Sequence, residues 1–207
     1  MVGNQIVEKY TDCKINSLTL TGTAGSPLSA SMNIMGIKST FLAADPVLTP
    51  ESDAPYLYME AAGAIKFATV AQKITNLNLS INNNLSGYQA DDYFFSDIDP
   101  GGREVTFGFS TRFTGATAFP DYRKFFYGSD AGTDLSPAIG TEAVEMVWTR
   151  DANTSLKIEL PQISYAAMPV APDPGGQPLE VSVTTAVEKP SASPIMTVTV
   201  KDQNTSY

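Results

Sequence analysis

The sequence predicts an all-β fold: an antiparallel β-sandwich or flattened barrel with one short flanking α-helix and projecting loop arms. Three observations predict it, namely recurrent alternation of apolar and polar residues, a single segment with helical signals, and long proline-bearing loops. Because no composition shift or internal repeat divides the 207 residues, we expect one domain. Its arms are expected at about 1–10 and 37–64, with a C-terminal tail at about 201–207.

The alternation is clearest in residues 28–34, where every even position is apolar and every odd one polar. Since successive side chains of a strand point to opposite faces, this predicts a half-buried strand. The turn-rich residues 21–27 join it to a preceding strand at about 13–21 as a hairpin. The other predicted strands lie at about 77–81, 105–113, 143–149, 156–160, 179–187 and 195–200. One apolar face per strand implies antiparallel sheets over a shared core. Trp148 lies within a predicted strand and is expected to fill this core or an interface.

Residues 121–128 are the exception to the strand pattern. They follow Pro120, begin with an acid and end with Gly128, which are helix start and stop signals. We therefore predict a short helix there. Residues 168–178 contain four prolines and two glycines, so we predict a long loop.

Charge and the missing residue types exclude several functions. The net charge is −9, and nothing supplies the cationic stripe with which proteins grip nucleic acid. There is no histidine and only one cysteine, which removes histidine-assisted nucleophiles and thiolate clusters. We expect no catalytic residue, no metal site and no cofactor, and the chain is not expected to be an enzyme. Cys13 is expected to be a small core residue.

Paired acids offer one alternative to that expectation. Asp91–Asp92 and the Asp97/Asp99 pair could be calcium ligands, but the segment lacks the dense acids and distal Glu of a calcium loop. We interpret it as a solvated loop tip, and residues 99–103 as a turn that leads into a strand. Without an apolar run of membrane length or a signal segment, the chain is expected to be soluble, made in a reducing cytoplasm and not associated with a membrane.

Four segments, in order, resemble phage tail tube proteins, the major tail proteins of long-tailed phages. They are the opening YTDCKINSLTLT (10–21) with the strand at 28–36, then ITNLNLSINNNL (74–85), GREVTFGF (102–109) and LKIELPQI (156–163). The resemblance covers about residues 10–200. The proline-rich residues 41–58 depart from the shorter versions expected, which leaves the conformation of this arm open.

This resemblance implies a virion structural protein with the tail-tube fold. Six subunits would form a ring whose inner sheets join around a channel, and arms would stack the rings into a tube. DNA would pass through the channel during ejection without specific binding. The implied partners are the protein itself, the tape-measure protein, and the tail terminator and tip proteins.

If the tube interpretation holds, one polar strand face lines the channel. The candidates are short, neutral side chains: Ser29, Ser31, Asn33, Asn78, Ser80, Asn82, Thr106 and Ser110. Arg112 is the charged residue on this face, and we expect it to pair with an acid near the channel rim.

The loop arm carries apolar residues without a regular strand pattern, and a neighbouring subunit is the expected cover for them. These arm candidates are Phe41, Leu42, Val47, Leu48, Tyr56, Leu57 and Tyr58. The alternative is that the loop packs back on its own subunit. For the whole protein, the main alternative function is a carbohydrate-binding or adhesin-like β-sandwich module, because a sandwich fold does not determine function. An enzyme is the third hypothesis, and the absence of histidine disfavours it.

Overall fold

The computed structural model describes residues 7–42, 57, 64–68, 70–91, 93–112, 127–129, 140–167 and 180–202. The regular elements within these residues are β-strands, which confirms the predicted all-β class. In chain order they are β1 (Val7–Thr11), β2 (Lys14–Thr23), β3 (Ser29–Met35), β4 (Lys38–Leu42), β5 (Ile65–Phe67), β6 (Val70–Ala71), β7 (Ile74–Asn82), β8 (Ser86–Tyr88), β9 (Asp97–Asp99), β10 (Glu104–Arg112), β11 (Thr141–Thr149), β12 (Ser155–Ala167), β13 (Glu180–Val187) and β14 (Thr197–Lys201).

Ten of these strands form one sheet. Its hydrogen-bonded neighbours follow the order β3, β2, β7, β10, β13, β12, β11, β5 and β6, and β14 also pairs with β12. The pairs β10–β13, β11–β12, β12–β13, β12–β14 and β11–β5 are all antiparallel, as predicted. Strands β2 and β3 are neighbours, which confirms the predicted hairpin. The pairs β1–β4 and β8–β9 form two separate two-stranded sheets.

The chain divides into two compact units. The first comprises Met1–Thr19, Ala30–Ala54 and Ser80–Glu104, and the second comprises Leu20–Ser29, Pro55–Leu79 and Val105–Tyr207. The single-domain organisation stays a prediction.

The core of the second unit is made of side chains from strands that are not neighbours in the sheet. The ring of Phe67 on β5 lies 6.3 Å from that of Phe107 and 4.9 Å from that of Phe109, both on β10. Since β5 and β10 are not hydrogen-bonded neighbours, the sheet folds over onto itself as a sandwich. Trp148 is buried in this core, as predicted. Full burial of each large apolar side chain contributes about 1.5–3 kcal/mol to folding.

Strand β12 changes partners along its length at a bulge. Glu142 pairs with Ile163 and Val144 with Leu160, so β12 has one more residue than β11 between these pairs. The extra length includes Pro161, which has no N–H to donate and is tolerated in a sheet at such a site. On its other edge, β12 pairs with β14 before the bulge and with β13 after it. The bulge therefore lies where one strand serves two parts of the folded sheet.

An asparagine turn after β7 organises the first unit. The Asn83 amide donates to the carbonyl of Ile15, and Arg103 Nε donates to Asn83 Oδ1, each over 2.8 Å. Asn84 adopts a positive φ of 47°, and a Cβ added to Gly101 would lie 2.3 Å from its carbonyl oxygen. Only glycine fits at position 101 without a backbone shift.

The prediction that residues 28–34 form a half-buried strand is wrong about burial. Strand β3 is present, but Met32 and Ile34 are 55% and 56% exposed, and the polar residues between them are exposed as well. The physical reason is position: β3 is the last strand at one end of the sheet. Alternation predicts two unlike faces, but it does not specify what covers the apolar one.

Two expectations for polar residues are also corrected. Cys13 is exposed, between β1 and β2, and is not a core residue. Asp97 and Asp99 do not lie on a loop tip, because they flank the fully buried Ile98 in strand β9. Lys14 Nζ donates to the Ile98 carbonyl over 2.6 Å and lies 3.4 Å from Asp97 Oδ1. The hydrogen bond from the Ile98 amide, followed by the Lys14 ammonium, lowers the pKa of Asp97.

Three other predictions, for a turn, a helix and a loop, can be compared with the structure only in part or not at all. Residues 100–103 lead into β10 without strand structure, as predicted for a turn. The predicted helix at 121–128 lies outside the described residues except for its last two, and the predicted loop at 168–178 lies outside them entirely.

Candidate functional site

A neutral, polar surface covers the outward side of four adjacent strands in the second unit, β2, β7, β10 and β13. In β10 and β13 buried and exposed residues alternate, and in β7 Leu77 and Leu79 are buried while Asn76 and Asn78 are exposed. We call this surface the neutral face. Its members are Thr21, Asn76, Asn78, Thr106, Gly108, Ser110, Ser182 and Thr184.

Hydrogen bonds between short side chains connect the strands of the neutral face. Ser110 Oγ lies 3.1 Å from Ser182 Oγ, where the two residues are paired across β10 and β13. Asn78 Nδ2 donates to Thr21 Oγ1 over 3.5 Å. Gly108 leaves a shallow groove between Asn78 and Ser182. Such a surface offers weak, exchangeable hydrogen bonds, and none of its eight residues carries a formal charge.

Along β10, charge appears at both ends of this alternation, at the exposed Glu104 and at Arg112. Arg112 is the last residue of β10, and its partner in the backbone register is Glu180 at the start of β13. The expectation that the Arg112 side chain pairs with an acid stays a prediction.

The opposite outward side of the folded sheet is charged. Glu145 on β11 accepts from Lys66 on β5 over 2.9 Å and from Lys157 on β12 over 2.8 Å, and Lys157 also lies 2.9 Å from Glu159. We call these four residues the charged ladder. The two lysines, Lys157 first, lower the pKa of Glu145, and the two carboxylates, Glu145 first, raise the pKa of Lys157.

The predicted channel-facing residues fall into three groups. Asn78, Thr106 and Ser110 lie together on the neutral face. Ser29, Ser31 and Asn33 lie on the exposed edge strand β3. The third group, Ser80 and Asn82, lies at the end of β7 that belongs to the first unit.

Ser80 and Asn82 are less accessible than the neutral face. Ser80 is half-buried, with its Oγ 3.5 Å from Thr19 Oγ1. Asn82 Oδ1 accepts from the backbone N–H of Asn84 over 3.0 Å. Both side chains therefore have structural partners. Sequence reasoning missed Ser182 and Thr184, although the alternation of residues 179–187 contained the signal for them.

The structure describes three of the seven arm candidates, Phe41, Leu42 and Leu57. The loop arm was expected to lack regular strands, but Phe41 and Leu42 end strand β4, which pairs with β1 of the N-terminal arm. Phe41 is 75% exposed and Leu42 is half-buried. Leu57 is half-buried, and its carbonyl accepts from the Leu28 amide over 2.8 Å. The other four candidates, Val47, Leu48, Tyr56 and Tyr58, lie outside the described residues.

The two arms thus meet in one two-stranded ribbon in the first unit, β1–β4. Tyr10 on β1 is exposed, and its hydroxyl donates to Glu8 over 3.0 Å, which raises the pKa of the phenol. A two-stranded ribbon is marginally stable by itself in water. Its pairing was missed because β1 and β4 are distant in sequence and neither has strong alternation.

The exposed valines of β14 were also missed. Val198 and Val200 are 49% and 65% exposed, although Val198 pairs with Ile158 and Val200 with Leu156. Directly paired residues share a sheet face, so these valines lie on the face that β12 turns to the core.

Among the residues that the structure describes, no group of three or more His, Cys, Asp or Glu side chains is arranged to hold a metal ion. Within the same residues, no helix has the length and apolarity needed to cross a membrane.

Comparison with protein families identifies a match over most of the chain. The family model described as phage tail tube protein matches residues 1–187 of the chain. A comparison with curated proteins finds no match.

Proposed function

This chain belongs to the phage tail tube protein family, and from that premise we propose that six copies close into a ring, that rings stack into a tube, and that DNA passes through the channel. The family is one of structural subunits of the virion tail that associate with themselves into a tube. Family membership favours this function over a carbohydrate-binding module.

The contrast between the two outward sides of the sandwich carries the proposal for the channel. DNA that slides through a tube meets the wall along its whole length, and each fixed cation would attract phosphates. The neutral face offers hydroxyl, amide and glycine surface, whereas the charged ladder carries two lysines and the two glutamates that pair with them. We infer that the neutral face lines the channel and that the charged ladder faces outward. Ser29, Ser31, Asn33, Ser80 and Asn82 are kept as further candidates for the channel wall.

The net charge of −9 adds to this inference, because it supplies a repulsive background toward DNA. At 0.1 M salt that background decays over about 10 Å, so it acts only close to the wall. Before ejection the same channel would hold the tape-measure protein. The tail terminator and tip proteins would bind the ends of the tube, and the subunits would be made in the host cytoplasm.

The arms are the proposed contacts between stacked rings. Phe41 is exposed on the β1–β4 ribbon, which itself gains stability from any surface that covers it. We infer that this surface belongs to a subunit of the next ring, as expected for the remaining arm candidates.

Electron microscopy of the purified protein tests assembly. We expect six-fold rings or tubes in negative stain. A protein that stays monomeric at all concentrations, or that forms closed dimers, would refute the ring.

Two matched lysine variants test the channel wall. Thr184 lies exposed on the neutral face, and Thr141 lies exposed on the other outward side, at the start of β11. Because each ring repeats the new charge in every subunit, Thr184→Lys is expected to slow DNA release from triggered virions. Thr141→Lys is expected to leave the rate unchanged.

The measurement is the release of DNA followed by a fluorescent dye, with tube assembly checked in both variants. Higher salt is expected to relieve the slowing, because the added attraction is to phosphate. Equal release rates from assembled Thr184→Lys and Thr141→Lys virions would show that the neutral face does not line the channel.

A further inference from the structure

The β8–β9 hairpin of the first unit carries exposed aromatic rings that belong neither to the core nor to the neutral face. Tyr88 and Tyr93 are 57% and 90% exposed, and the ring of Phe94 meets that of Tyr93 edge-on, with centroids 5.9 Å apart. Large apolar groups that cluster on a surface indicate a site of interaction, whereas single ones need no explanation. We call residues 86–99 the tyrosine hairpin.

Hydrogen bonds hold both ends of the tyrosine hairpin. Just before it, the Leu85 amide donates to Asn16 Oδ1 over 2.9 Å. Just after it, the Gly102 carbonyl accepts from Asn84 Nδ2 over 2.7 Å. These bonds tie the hairpin to β2 and to the asparagine turn, so its base has a fixed position in the unit.

The hairpin is also fixed internally. Ile98 is fully buried, and the ring of Phe95 fills the space that a side chain at position 87 would need. Nearer the tip, Gln89 Nε2 donates to the Tyr93 carbonyl over 3.2 Å. Because the exposed rings are carried by ordered backbone, binding requires little further ordering of the chain, which favours affinity.

Carboxylates accompany the aromatic rings. Tyr88 lies directly opposite Asp97 in the hairpin, and Ser86 lies opposite Asp99, so these four exposed residues share one face. Residues 86–99 contain four aspartates and neither lysine nor arginine. The hairpin itself is therefore anionic as well as aromatic.

One cation from outside the hairpin balances part of this charge. Lys14 of β2 lies 3.4 Å from Asp97, whereas Asp91 and Asp99 are exposed and form no ion pair with any other described residue. An excess of negative charge thus remains beside the tyrosine rings. The face of a tyrosine ring attracts cations through its quadrupole, and a nearby carboxylate adds to that attraction.

We propose that the tyrosine hairpin is a docking site for a segment of another protein that presents lysine or arginine side chains. Charge complementarity favours such a segment over a neutral or acidic one, and DNA is repelled because the aspartates face its phosphates with like charge. The whole surface lies within one unit of one subunit, so the proposal stands apart from the ring and the channel.

The β1 strand supplies a matched control. Glu8 and Tyr10 are an exposed acid and an exposed tyrosine two residues apart, like Asp91 and Tyr93. Lys9 lies between them, and the Tyr10 hydroxyl already donates to Glu8 over 3.0 Å. Because a cation and an internal hydrogen bond satisfy the acid there, we expect no docking of a basic segment at β1.

Fluorescence anisotropy of a labelled peptide of alternating lysine and glycine tests the site. The full chain is the titrant, and a peptide of alternating glutamate and glycine is the control probe; only the lysine peptide is expected to bind. Since a cation–π contact at an exposed site contributes a few-fold to affinity, Tyr93→Ala is expected to weaken binding about 2–5-fold. Tyr93→Phe, which keeps the ring, and Tyr10→Ala are expected to bind like the unmodified chain.

Two acid variants separate the site from the net charge of the chain. Asp91→Asn and Glu8→Gln each remove one negative charge, but only Asp91→Asn is expected to weaken binding. Circular dichroism checks that each variant keeps its fold. Equal losses from the two acid variants, with none from Tyr93→Ala, would show that net charge alone attracts the peptide and would overturn the site. So would a folded chain that does not bind the lysine peptide, or one that binds a neutral oligosaccharide more tightly.

Discussion

Two phenylalanines in this chain have opposite surroundings, so replacing each with alanine separates folding from assembly. Phe67 is 1% exposed and contacts the rings of Phe107 and Phe109. Removing a buried phenylalanine side chain costs about 3–5 kcal/mol, which includes the cavity that remains. Against a typical total of about 5–15 kcal/mol, Phe67→Ala would remove a large part of the free energy of unfolding.

For a chain of this size, 1 kcal/mol shifts the Tm by about 2–4 °C, so Phe67→Ala is expected to lower the Tm by roughly 6–20 °C. Phe41 is 75% exposed, and exposed substitutions usually change stability by no more than about 0.5 kcal/mol. Phe41→Ala is therefore expected to lower the Tm of the unassembled subunit by about 2 °C at most. If the ribbon contacts the next ring, the same variant shortens or abolishes tubes.

The assay is thermal unfolding followed by circular dichroism on dilute, unassembled protein, with negative-stain microscopy of concentrated samples of both variants. A loss of Tm in Phe41→Ala comparable to that of Phe67→Ala would show that the ribbon packs on its own subunit. Tubes of normal length from Phe41→Ala would refute the contact between rings. A Tm unchanged in Phe67→Ala would refute the described core.

Two further predictions concern single groups. The lysines beside Glu145 lower its pKa, so its contribution to stability is present above its ordinary pKa of about 4.5 and is lost as the pH falls through the lowered value. In denaturant unfolding from pH 6 to 3, we expect the free energy of unfolding to depend less on pH in Glu145→Gln than in the exposed control Glu104→Gln. Equal pH profiles in the two variants would contradict this assignment. Gly101→Ala places a Cβ against the backbone of Asn84 and is expected to lower the free energy of unfolding by about 1–3 kcal/mol. The added Cβ of the control Gly102→Ala meets open space, so this variant is expected to be neutral or slightly stabilising. Equal unfolding midpoints of the two variants in urea would count against the tight turn.

Alternation predicted the interior strands well because it reports directly on which side chains share a face. The apolar residues at Leu77, Leu79, Phe107, Val181 and Val183 are all buried, as their spacing indicates. The polar residues between them form the neutral face, and three of its eight members, Asn78, Thr106 and Ser110, followed from the sequence.

What the sequence could not predict depends on partners distant in the chain. The β1–β4 ribbon pairs Glu8 with Phe41, and neither strand shows a local pattern that specifies the other. The charged ladder joins Glu145 to Lys66 and Lys157, which requires the register of three strands. The exposure of Met32 was unpredictable for a different reason, because residues 28–34 have the same alternation whether or not another element covers them.

The exposed apolar residues of two edge strands lie outside the neutral face. Met32 and Ile34 on β3, and Val198 and Val200 on β14, lie on edge strands, and none of them belongs to the neutral face. In a free subunit such edges promote uncontrolled pairing. Under the proposed function, one outward side of the sandwich faces the channel and the other faces the exterior. We assign the channel to the neutral face because Lys66 and Lys157, although each is paired with a carboxylate, would repeat cations along a wall in contact with phosphates.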